Sequence, residues 1–442
     1  MNRQIENLHL DDGLSSPRPS RRKSQMVLIL LGCGILQLPI WGFAMTFGIF
    51  ENAYSQQAII KGSQTATGTI GTTMNGVMYL SMPLLSTTLG SSRWAGWRRR
   101  AAIGGACLSA VSFLVSSWST EVWHLILLQG VFAAFGNAMM YTPTTLWLDE
   151  YFRDGNRATA YGIQFSIKNI VGTSCPFLMY ALLQVQGVRM ALRIWSGIFV
   201  VTATAGLCVV PSLPPRDPRR PQRVPWSFLK HRTFYLYAFA NTVFSSGYGL
   251  PQTYLSIYAS QLLHLPAAES SATIAIFNAP GILSCTGFGL LSDKFNVSAT
   301  NNTLISALGS ALSVFLLWGL KSHTISGLLI AFCVGYGFFA SGYSSTWGGW
   351  ILEIEREAAE RNEAINSGVL YGLLNGARGV GYVIGGITGV ELLKVGPIQR
   401  SQQWAWGTRY GALILFTGIS SVMGGWTVAW KFFSCKKRNG RF

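Results

Sequence analysis

Charged residues are scarce in this 442-residue sequence, since Asp, Glu, Lys and Arg make up only 12% of it, roughly half of their usual share in soluble proteins. No Asp or Glu lies in the middle of a long apolar stretch, and six of the seven cysteines fall in such stretches without a disulfide or metal-site spacing. An ATP-binding motif of the type G-x-x-x-x-G-K-[ST] does not occur. These absences argue against a soluble protein, an ATP-driven pump and an enzyme, which would need convergent catalytic groups, and we expect no cofactor.

Apolar stretches dominate instead, with 49% hydrophobic residues and a mean hydropathy of +0.32. A helix needs about 20 residues to cross a hydrocarbon core of about 30 Å. Twelve stretches reach this length and predict an all-α integral membrane protein of twelve transmembrane helices. They lie near 26–48, 68–89, 101–118, 122–144, 158–183, 192–211, 234–258, 270–291, 301–320, 324–350, 364–391 and 409–431.

The net charge of +17 is unevenly placed along the chain. When both termini are assigned to the cytoplasm, 25 of the 34 Lys and Arg residues fall in cytoplasmic segments. This bias is the positive-inside rule of membrane proteins, so the excess charge does not indicate a nucleic-acid partner. We expect a multi-pass protein with cytoplasmic termini, in the plasma membrane by default.

Composition also divides the chain into two halves. A Pro- and Arg-rich segment between the sixth and seventh spans excludes helix and predicts an extended linker. The polar N-terminal segment has no periodicity and predicts a disordered tail. The expected organisation is a cytoplasmic tail at 1–25, a six-helix domain at 26–211, a cytoplasmic linker at 212–233, a six-helix domain at 234–432 and a basic tail at 433–442.

The two halves repeat each other in sequence. A constant offset of 206 residues carries Asn156 onto Asn362 and Asn169 onto Asn375, and the ends of the fourth and tenth spans share a Trp and a Glu, three residues apart. A period of this size indicates a duplicated half, and parallel six-span repeats are typical of one large class of transporters.

Two cations lie near the middle of their spans, Lys168 in the fifth and Arg378 in the eleventh. They are about 15 and 21 Å from the ends of their helices, where a charge costs about 2.5–3.5 kcal/mol and usually marks a substrate route. Each cation has an amide side chain nearby on its own span: Gln164 precedes Lys168 by four residues, and Asn375 precedes Arg378 by three. The cations and amides together predict a site for a carboxylate. The alternative is a structural cation that donates to backbone carbonyls at a glycine-rich helix contact. Candidate substrate-binding residues are Lys168, Arg378, Gln164, Asn169, Asn375, Asn278 and Tyr343.

Six ordered stretches carry a family resemblance. They are FGIFENAYS (47–55), WLDEYFRDGNRATAYGIQFSIKNIVG (147–172), YLYAFANTVFSSGYGLPQTYLSIYA (235–259), GFGLLSDKFN (287–296), YGFFASGYSSTWGGWILE (336–353) and GARGVGYVIGG (376–386). Together they resemble the major facilitator superfamily, and within it the fungal branch related to monocarboxylate transporters. The resemblance covers the chain from about Gln25 to about Trp430 and implies two six-helix domains that rock around a central site.

The resemblance also implies residues for gating. Asp293 and Lys294 match the superfamily's cytoplasmic loop motif, in which the acid holds a neighbouring helix end in one state of the cycle. The first-half counterpart, LGSSRWAGWRRR at 89–100, has no carboxylate. Gating is therefore expected to depend on the second half, or on ion pairs of the two span-end glutamates with nearby arginines. Those expected pairs are Glu150 with Arg157 and Glu353 with Arg356.

The leading hypothesis is a secondary active transporter of a small, monocarboxylate-like anion, working by alternating access. The lipid bilayer is its other expected partner, and we expect a monomer. Proton coupling is left open, because the Asp and Arg pair that animal monocarboxylate transporters carry in the eighth span has no counterpart at 274–289. An exporter of a fungal secondary metabolite is the alternative, and a non-transporting membrane sensor is the third hypothesis.

Overall fold

Helices form nearly all of the chain that the structure, a computed structural model, describes. The described residues are 19–56, 67–152, 156–211, 225–295, 297–398, 403–427 and 430. Most of the N-terminal tail, residues 212–224 of the linker and the C-terminal tail lie outside them. The predictions for those segments therefore stay predictions.

The first half contains seven helices that make six rods among the described residues. They are α1 (Pro19–Ile35), α2 (Gln37–Gln56), α3 (Gly68–Gly90), α4 (Arg98–Ser116), α5 (Val122–Leu125), α6 (Ala134–Tyr151) and α7 (Arg157–Val209). The helices α1 and α2 continue each other, and α5 runs into α6 through a π-helical stretch. α7 holds two spans, since Gly187 breaks it with a φ of 70° and a ψ of 172°, a conformation that a residue with a Cβ atom rarely adopts.

The second half also contains seven helices in six rods. They are α8 (Arg232–Leu262), α9 (Ala267–Asp293), α10 (Ala299–Leu312), α11 (Ser326–Tyr343), α12 (Trp347–Glu360), α13 (Ser367–Val395) and α14 (Gly411–Gly424). A single 3₁₀ turn, Ser344–Thr346, joins α11 to α12 within one rod. The rods agree in number and order with the twelve predicted spans.

Six continuous helical stretches of the described chain are long and apolar enough by length and composition to cross a membrane, and one of them is α7 with its two rods. They are Lys23–Glu51, Val122–Tyr151, Arg157–Val209, Ala267–Asp293, Ala299–Trp318 and Ser326–Glu360. Other rods, such as α3 and α13, contain many Gly, Ser, Thr or Asn residues that lower their hydropathy. Small and weakly polar residues allow close helix contacts in membranes, so these rods suit the interior of a helical bundle.

The halves meet along two helix pairs, α7 with α9 and α3 with α13. Two glycines show how closely α7 and α9 approach. A Cβ atom on Gly162 would lie 2.5 Å from the carbonyl oxygen of Cys285, and one on Gly289 would lie 2.6 Å from that of Ala158. Both distances are shorter than any normal contact, so a larger residue at either position would push the halves apart.

The backbone repeats the duplication seen in the sequence. Asn156 and Asn362 have φ values of 56° and 55°, and both lie in the turns that precede α7 and α13. The left-handed conformation is uncommon for residues other than glycine, with asparagine among the better tolerated. We call the end of the bundle that holds these two turns and the start of α8 the terminal face.

Candidate functional site

Lys168 lies buried on the first part of α7. Its Nζ atom is 3.9 Å from the ring centre of Trp41 on α2. Among the described residues, no carboxylate pairs with this ammonium group. A desolvated cation–π contact is worth about 2 kcal/mol, whereas burial of an uncompensated charge costs more. An anion beside Lys168 would therefore be stabilised.

Arg378 is also buried, on α13. Its Nη1 atom donates a hydrogen bond to the Ser344 hydroxyl in the turn between α11 and α12. Its Nε atom is buried without a hydrogen-bond partner in the described part of the chain. Four rings surround the guanidinium carbon at 5.1–5.6 Å from their centres, namely those of Tyr79, Tyr248, Trp347 and Tyr382.

The two cations share one group of rings, which we call the central aromatic cluster: Trp41, Tyr79, Tyr248, Trp347 and Tyr382. The Trp41 and Tyr79 rings are 5.6 Å apart, and the Tyr79 and Tyr382 rings stack at 5.4 Å. Two neighbouring rings of the first half thus contact one cation each: Trp41 contacts Lys168, and Tyr79 contacts Arg378. Both predicted cations therefore lie against one connected set of rings.

A cavity lies beside the central aromatic cluster, on the side away from the terminal face. Residues of α2, α3, α8 and α13 line it, and it contains about 590 Å³ of empty space, including the part open to solvent. Tyr382 belongs both to its wall and to the rings around Arg378. Tyr382 therefore connects the cavity wall with the surroundings of the guanidinium.

Three of the predicted amide residues are buried and bonded to backbone. Gln164 donates from Nε2 to the Cys33 carbonyl at 3.1 Å, while its Oε1 atom is buried and unpartnered in the described chain. Asn169 donates to the Phe165 carbonyl at 3.0 Å. Asn375 donates to the carbonyl four residues before it, at 2.9 Å. Their N–H groups therefore donate to the helix backbone, and their oxygens are the atoms left to bind a solute.

The last two predicted binding residues lie between helices. Asn278 on α9 donates to the Gly172 carbonyl on α7 at 3.3 Å and to the Ile274 carbonyl at 2.8 Å. Tyr343 donates to the Gly424 carbonyl at 3.1 Å and stacks on Phe244 with the ring centres 3.7 Å apart. Both side chains contribute to helix packing in this structure.

At the terminal face, Asp293 bridges the two halves. Its Oδ2 atom accepts hydrogen bonds from the backbone N–H of Thr159, at 2.7 Å, and from the Thr159 hydroxyl, at 2.9 Å. Thr159 lies in the first turn of α7, where N–H groups lack helical partners and a negative charge is favourable. Lys294, the neighbour of Asp293, is exposed.

A second bridge centres on Arg157. Its Nη1 atom lies 3.3 Å from Asp149 Oδ1 and 3.0 Å from Glu355 Oε1, and its Nη2 atom also binds Glu355. Asp149 in turn accepts from the Ser367 hydroxyl, at 2.9 Å. We call Asp149, Thr159, Arg157, Asp293, Glu355 and Ser367 the terminal-face network. It joins the halves, so the terminal face is closed in this structure.

The charges at this face are paired differently from the expected way. Arg157 binds Asp149 and Glu355, not Glu150. Glu150 follows Asp149 by one residue, so its side chain points about 100° away from that of Asp149 around the helix. It faces α4 and pairs there with Arg98 at 2.7 Å. Glu353 likewise turns towards α8 and accepts from the Tyr237 hydroxyl at 2.6 Å, so in this structure Tyr237 holds it, and the pairing expected with Arg356 stays a prediction.

Some of these residues could have been found in the sequence. Glu355 lies at the repeat offset of 206 from Asp149, and Tyr382 follows Arg378 by four residues and so shares its face. Trp41 and Tyr79 gave no such signal, because their contacts with the cations depend on how α2 and α3 pack against α7 and α13.

Comparison with known proteins gives a consistent result. The family model of the Major Facilitator Superfamily matches residues 29–386. The MFS-type transporter pynF of Aspergillus niger is 22% identical over 430 residues, which is 94% of this chain and 93% of that protein. Human monocarboxylate transporter 11 is 29% identical over 268 residues, covering 58% of this chain and 55% of that protein. The fujikurins efflux protein of Gibberella fujikuroi is 25% identical over 252 residues, covering 56% and 52%.

The fold has solved counterparts as well. The crystal structure of the nucleoside transporter NupG aligns with a TM-score of 0.64 at 13% identity, and the alignment covers 92% of this chain and 98% of NupG. At this identity the match speaks for the fold alone. The family model spans most of the chain, and the relatives are fungal transporters and monocarboxylate transporters. The chain therefore belongs to the Major Facilitator Superfamily, in the branch similar to monocarboxylate transporters.

Proposed function

We propose that this transporter carries a small organic anion, with a carboxylate or similar group bound between Lys168 and Arg378. The observation behind the proposal is the pair of buried cations around one aromatic cluster, with no carboxylate paired to either within the described residues. Arg378 has a free Nε donor, and a guanidinium binds carboxylates through two parallel hydrogen bonds. The structural alternative is less well supported, because Arg378 makes no hydrogen bond to a backbone carbonyl of the described chain.

Alternating access follows from the two ends of the bundle. The terminal-face network holds the halves together at one end, while the cavity extends from the central aromatic cluster towards the other end. The positive-inside bias assigns the terminal face to the cytoplasm. In this assignment the anion enters from outside, and breakage of the network releases it to the cytoplasm. Asp293, Arg157 and Glu355 are then the gating residues, with Glu150 supporting the end of α6.

Uptake of labelled small carboxylates into liposomes that contain the purified protein tests the proposal. The wild type is expected to take up at least one of them, and Arg378→Gln to abolish that uptake while it elutes as a monodisperse protein. Arg361→Gln is a matched control, since Arg361 is an exposed arginine at the end of α12. Uptake that is unchanged by Arg378→Gln would refute the role of Arg378. Loss of the folded protein would favour a structural arginine, and Lys168→Gln then tests the site separately.

Export of a secondary metabolite is the second candidate. It is favoured by the match to pynF, which covers nearly the whole chain, and by a relative named for efflux of fujikurins. The same site would serve an anionic metabolite moving outward. A proton gradient imposed in each direction distinguishes the two candidates. Anion import together with protons gives accumulation when the outside of the vesicles is acidic, whereas export in exchange for protons gives accumulation when the lumen is acidic.

A further inference from the structure

The cavity wall has an uneven supply of hydrogen-bond donors and acceptors. Five Ser, Thr and Asn side chains line it, on α3 and α8: Thr72, Asn75, Ser245, Ser246 and Thr253. A hydroxyl has one proton to donate and two lone pairs to accept with. Where the proton of each hydroxyl goes therefore decides what the wall offers to a solute.

The protons of these side chains are used inside the wall itself. Thr72 donates to the Thr69 carbonyl at 3.1 Å, Ser246 to the Val243 carbonyl at 2.7 Å and Thr253 to the Gly249 carbonyl at 3.0 Å. These are bonds to the preceding turn of the same helix, a common arrangement for Ser and Thr in helices.

The other two side chains follow the same pattern. Asn75 donates from Nδ2 to the Gly71 carbonyl at 3.2 Å, and Ser245 donates to the Asn241 side-chain oxygen at 3.3 Å. Ser245 keeps acceptor capacity only, whereas Asn75 keeps its oxygen and a second N–H. The hydroxyl oxygens of the Ser and Thr side chains thus present lone pairs to the cavity, while Asn75, Gln252, Tyr254 and Tyr382 can also supply donors.

A buried carboxylate lies near the same wall. Glu51 on α2 is 8% exposed, and its Oε2 atom has no hydrogen-bond partner in the described residues. It follows the wall residues Phe47 and Gly48 by four and three positions, and so shares their helix face. Tyr254, another wall residue, is close enough to interact electrostatically with it. A buried acceptor without a partner is costly unless a donor reaches it.

From these observations we infer that the substrate is an organic anion that also carries hydrogen-bond donors, hydroxyl or amine groups, on the part remote from its carboxylate. Its anionic end lies towards Arg378, beyond the ring of Tyr382, and its donors face the oxygens of Thr72, Asn75, Ser246 and Thr253. The inference rests on the proposed function and names the class of anion. Wall oxygens that pair with a donor of the substrate favour it over the analogue that lacks the donor, because the analogue leaves those oxygens unpaired.

Matched pairs of acids test this inference in the liposome assay. The pairs are hydroxyphenylacetate with phenylacetate, and gamma-hydroxybutyrate with butyrate, each labelled and each corrected for uptake by empty liposomes. We expect the hydroxylated member to be taken up about tenfold more efficiently in at least one pair, as one well-placed hydrogen bond would give. Equal uptake of both members in both pairs would overturn the inference. Absence of any carboxylate uptake would instead refute the proposed function.

Variants place the preference in the wall. Thr72→Val and Thr253→Val remove the acceptor oxygens at nearly constant volume. They are expected to reduce the preference to less than about threefold, measured as the ratio of the uptake of the two members of a pair by the same variant. The matched control is Thr242→Val, since Thr242 lies on α8 and donates to the Ala238 and Ala377 carbonyls but does not line the cavity. A preference that survives both wall substitutions, or that is lost equally in the control, would contradict the assignment.

Discussion

The two halves use the same turn for opposite charges. Asn156 and Asn362 adopt the same left-handed conformation at the repeat offset, yet the next residue is Arg157 in the first half and Glu363 in the second. Arg157 crosses to the other half and binds Glu355. Glu363 stays in its own half and binds His231 at 2.8 Å. The duplication preserved the backbone, whereas of the two residues that follow these asparagines only Arg157 forms an ion pair with the other half.

The centre of the bundle shows a similar asymmetry. Lys168 from the first half contacts one ring, Trp41, while Arg378 from the second half contacts four rings and a hydroxyl. The equivalent positions at the offset of 206 are Leu374 and Gly172, so neither cation has a charged counterpart in the other half. The repeat accounts for the frame of the transporter, whereas residues that differ between the repeats make up the proposed site and the proposed gate.

The largest effect is expected from loss of the crossing arginine. Arg157→Gln leaves Asp149 and Glu355 buried or partly buried without their cation, and loss of one partner of a buried pair costs about 3–5 kcal/mol. This cost applies to the closed terminal face, so the population should shift towards the state with that face open. Electron-paramagnetic distance measurements between spin labels on the two halves would show longer distances at this face. The control is Arg356→Gln, and an unchanged distance distribution for Arg157→Gln would contradict a gating role.

A smaller effect is expected from exchange of the central cations. Arg378→Lys keeps the charge but loses the planar group that contacts four rings and binds Ser344. Loss of a charged hydrogen bond costs about 1.5–3 kcal/mol, so uptake of a transported carboxylate should fall about ten- to hundredfold. Lys168→Arg keeps the single ring contact and should lower uptake less than about fivefold. Equal losses in the two variants would show that the halves contribute alike at the centre.

Much of this comparison was accessible from the sequence. The spans, the duplication and the two central cations depend on hydropathy and on residue spacing along one chain, and the family match and the rods support the fold they predicted. The sequence alone could not decide whether Asp149 or Glu150 pairs with Arg157, because the two are adjacent and their side chains point about 100° apart around the helix. Three of the four rings around Arg378 come from other helices, α3, α8 and α12, and only the packing of these helices against α13 brings them to the guanidinium.

The next effect concerns how each half begins its inner helix. The first turn of α7 receives Asp293 from the opposite half, whereas that of α13 is capped by its own Asn366, which accepts from the Val369 N–H at 3.2 Å. Asp293→Asn should therefore open the terminal face by about 1 kcal/mol, roughly fivefold in population. Asn366→Ala removes this cap and also the hydrogen bond from Asn366 Nδ2 to the Gly90 carbonyl of the first half, at 3.4 Å. It should lower the melting temperature by a similar free energy and open the face less than Asp293→Asn does. Spin-label distances and thermal unfolding of both variants separate the two effects, and transport unchanged by Asp293→Asn would count against its gating role.

The smallest effect is expected at the turn before α13, where Glu363 occupies the position that Arg157 has in the first half. A hydrogen bond from His231 lowers the pKa of Glu363, so this contact adds stability above the unfolded pKa of about 4.3. That stability is lost as the pH falls through the lower pKa of the folded state. His231→Gln should thus lower the melting temperature by a few degrees at neutral pH, and the difference from wild type should vanish as the medium becomes more acidic than about pH 4. A constant difference at every pH would mean that His231 acts through packing against α12.

Glu363→Gln should reproduce the same pH dependence and leave the distances at the terminal face unchanged, because Glu363, unlike Arg157, binds within its own half.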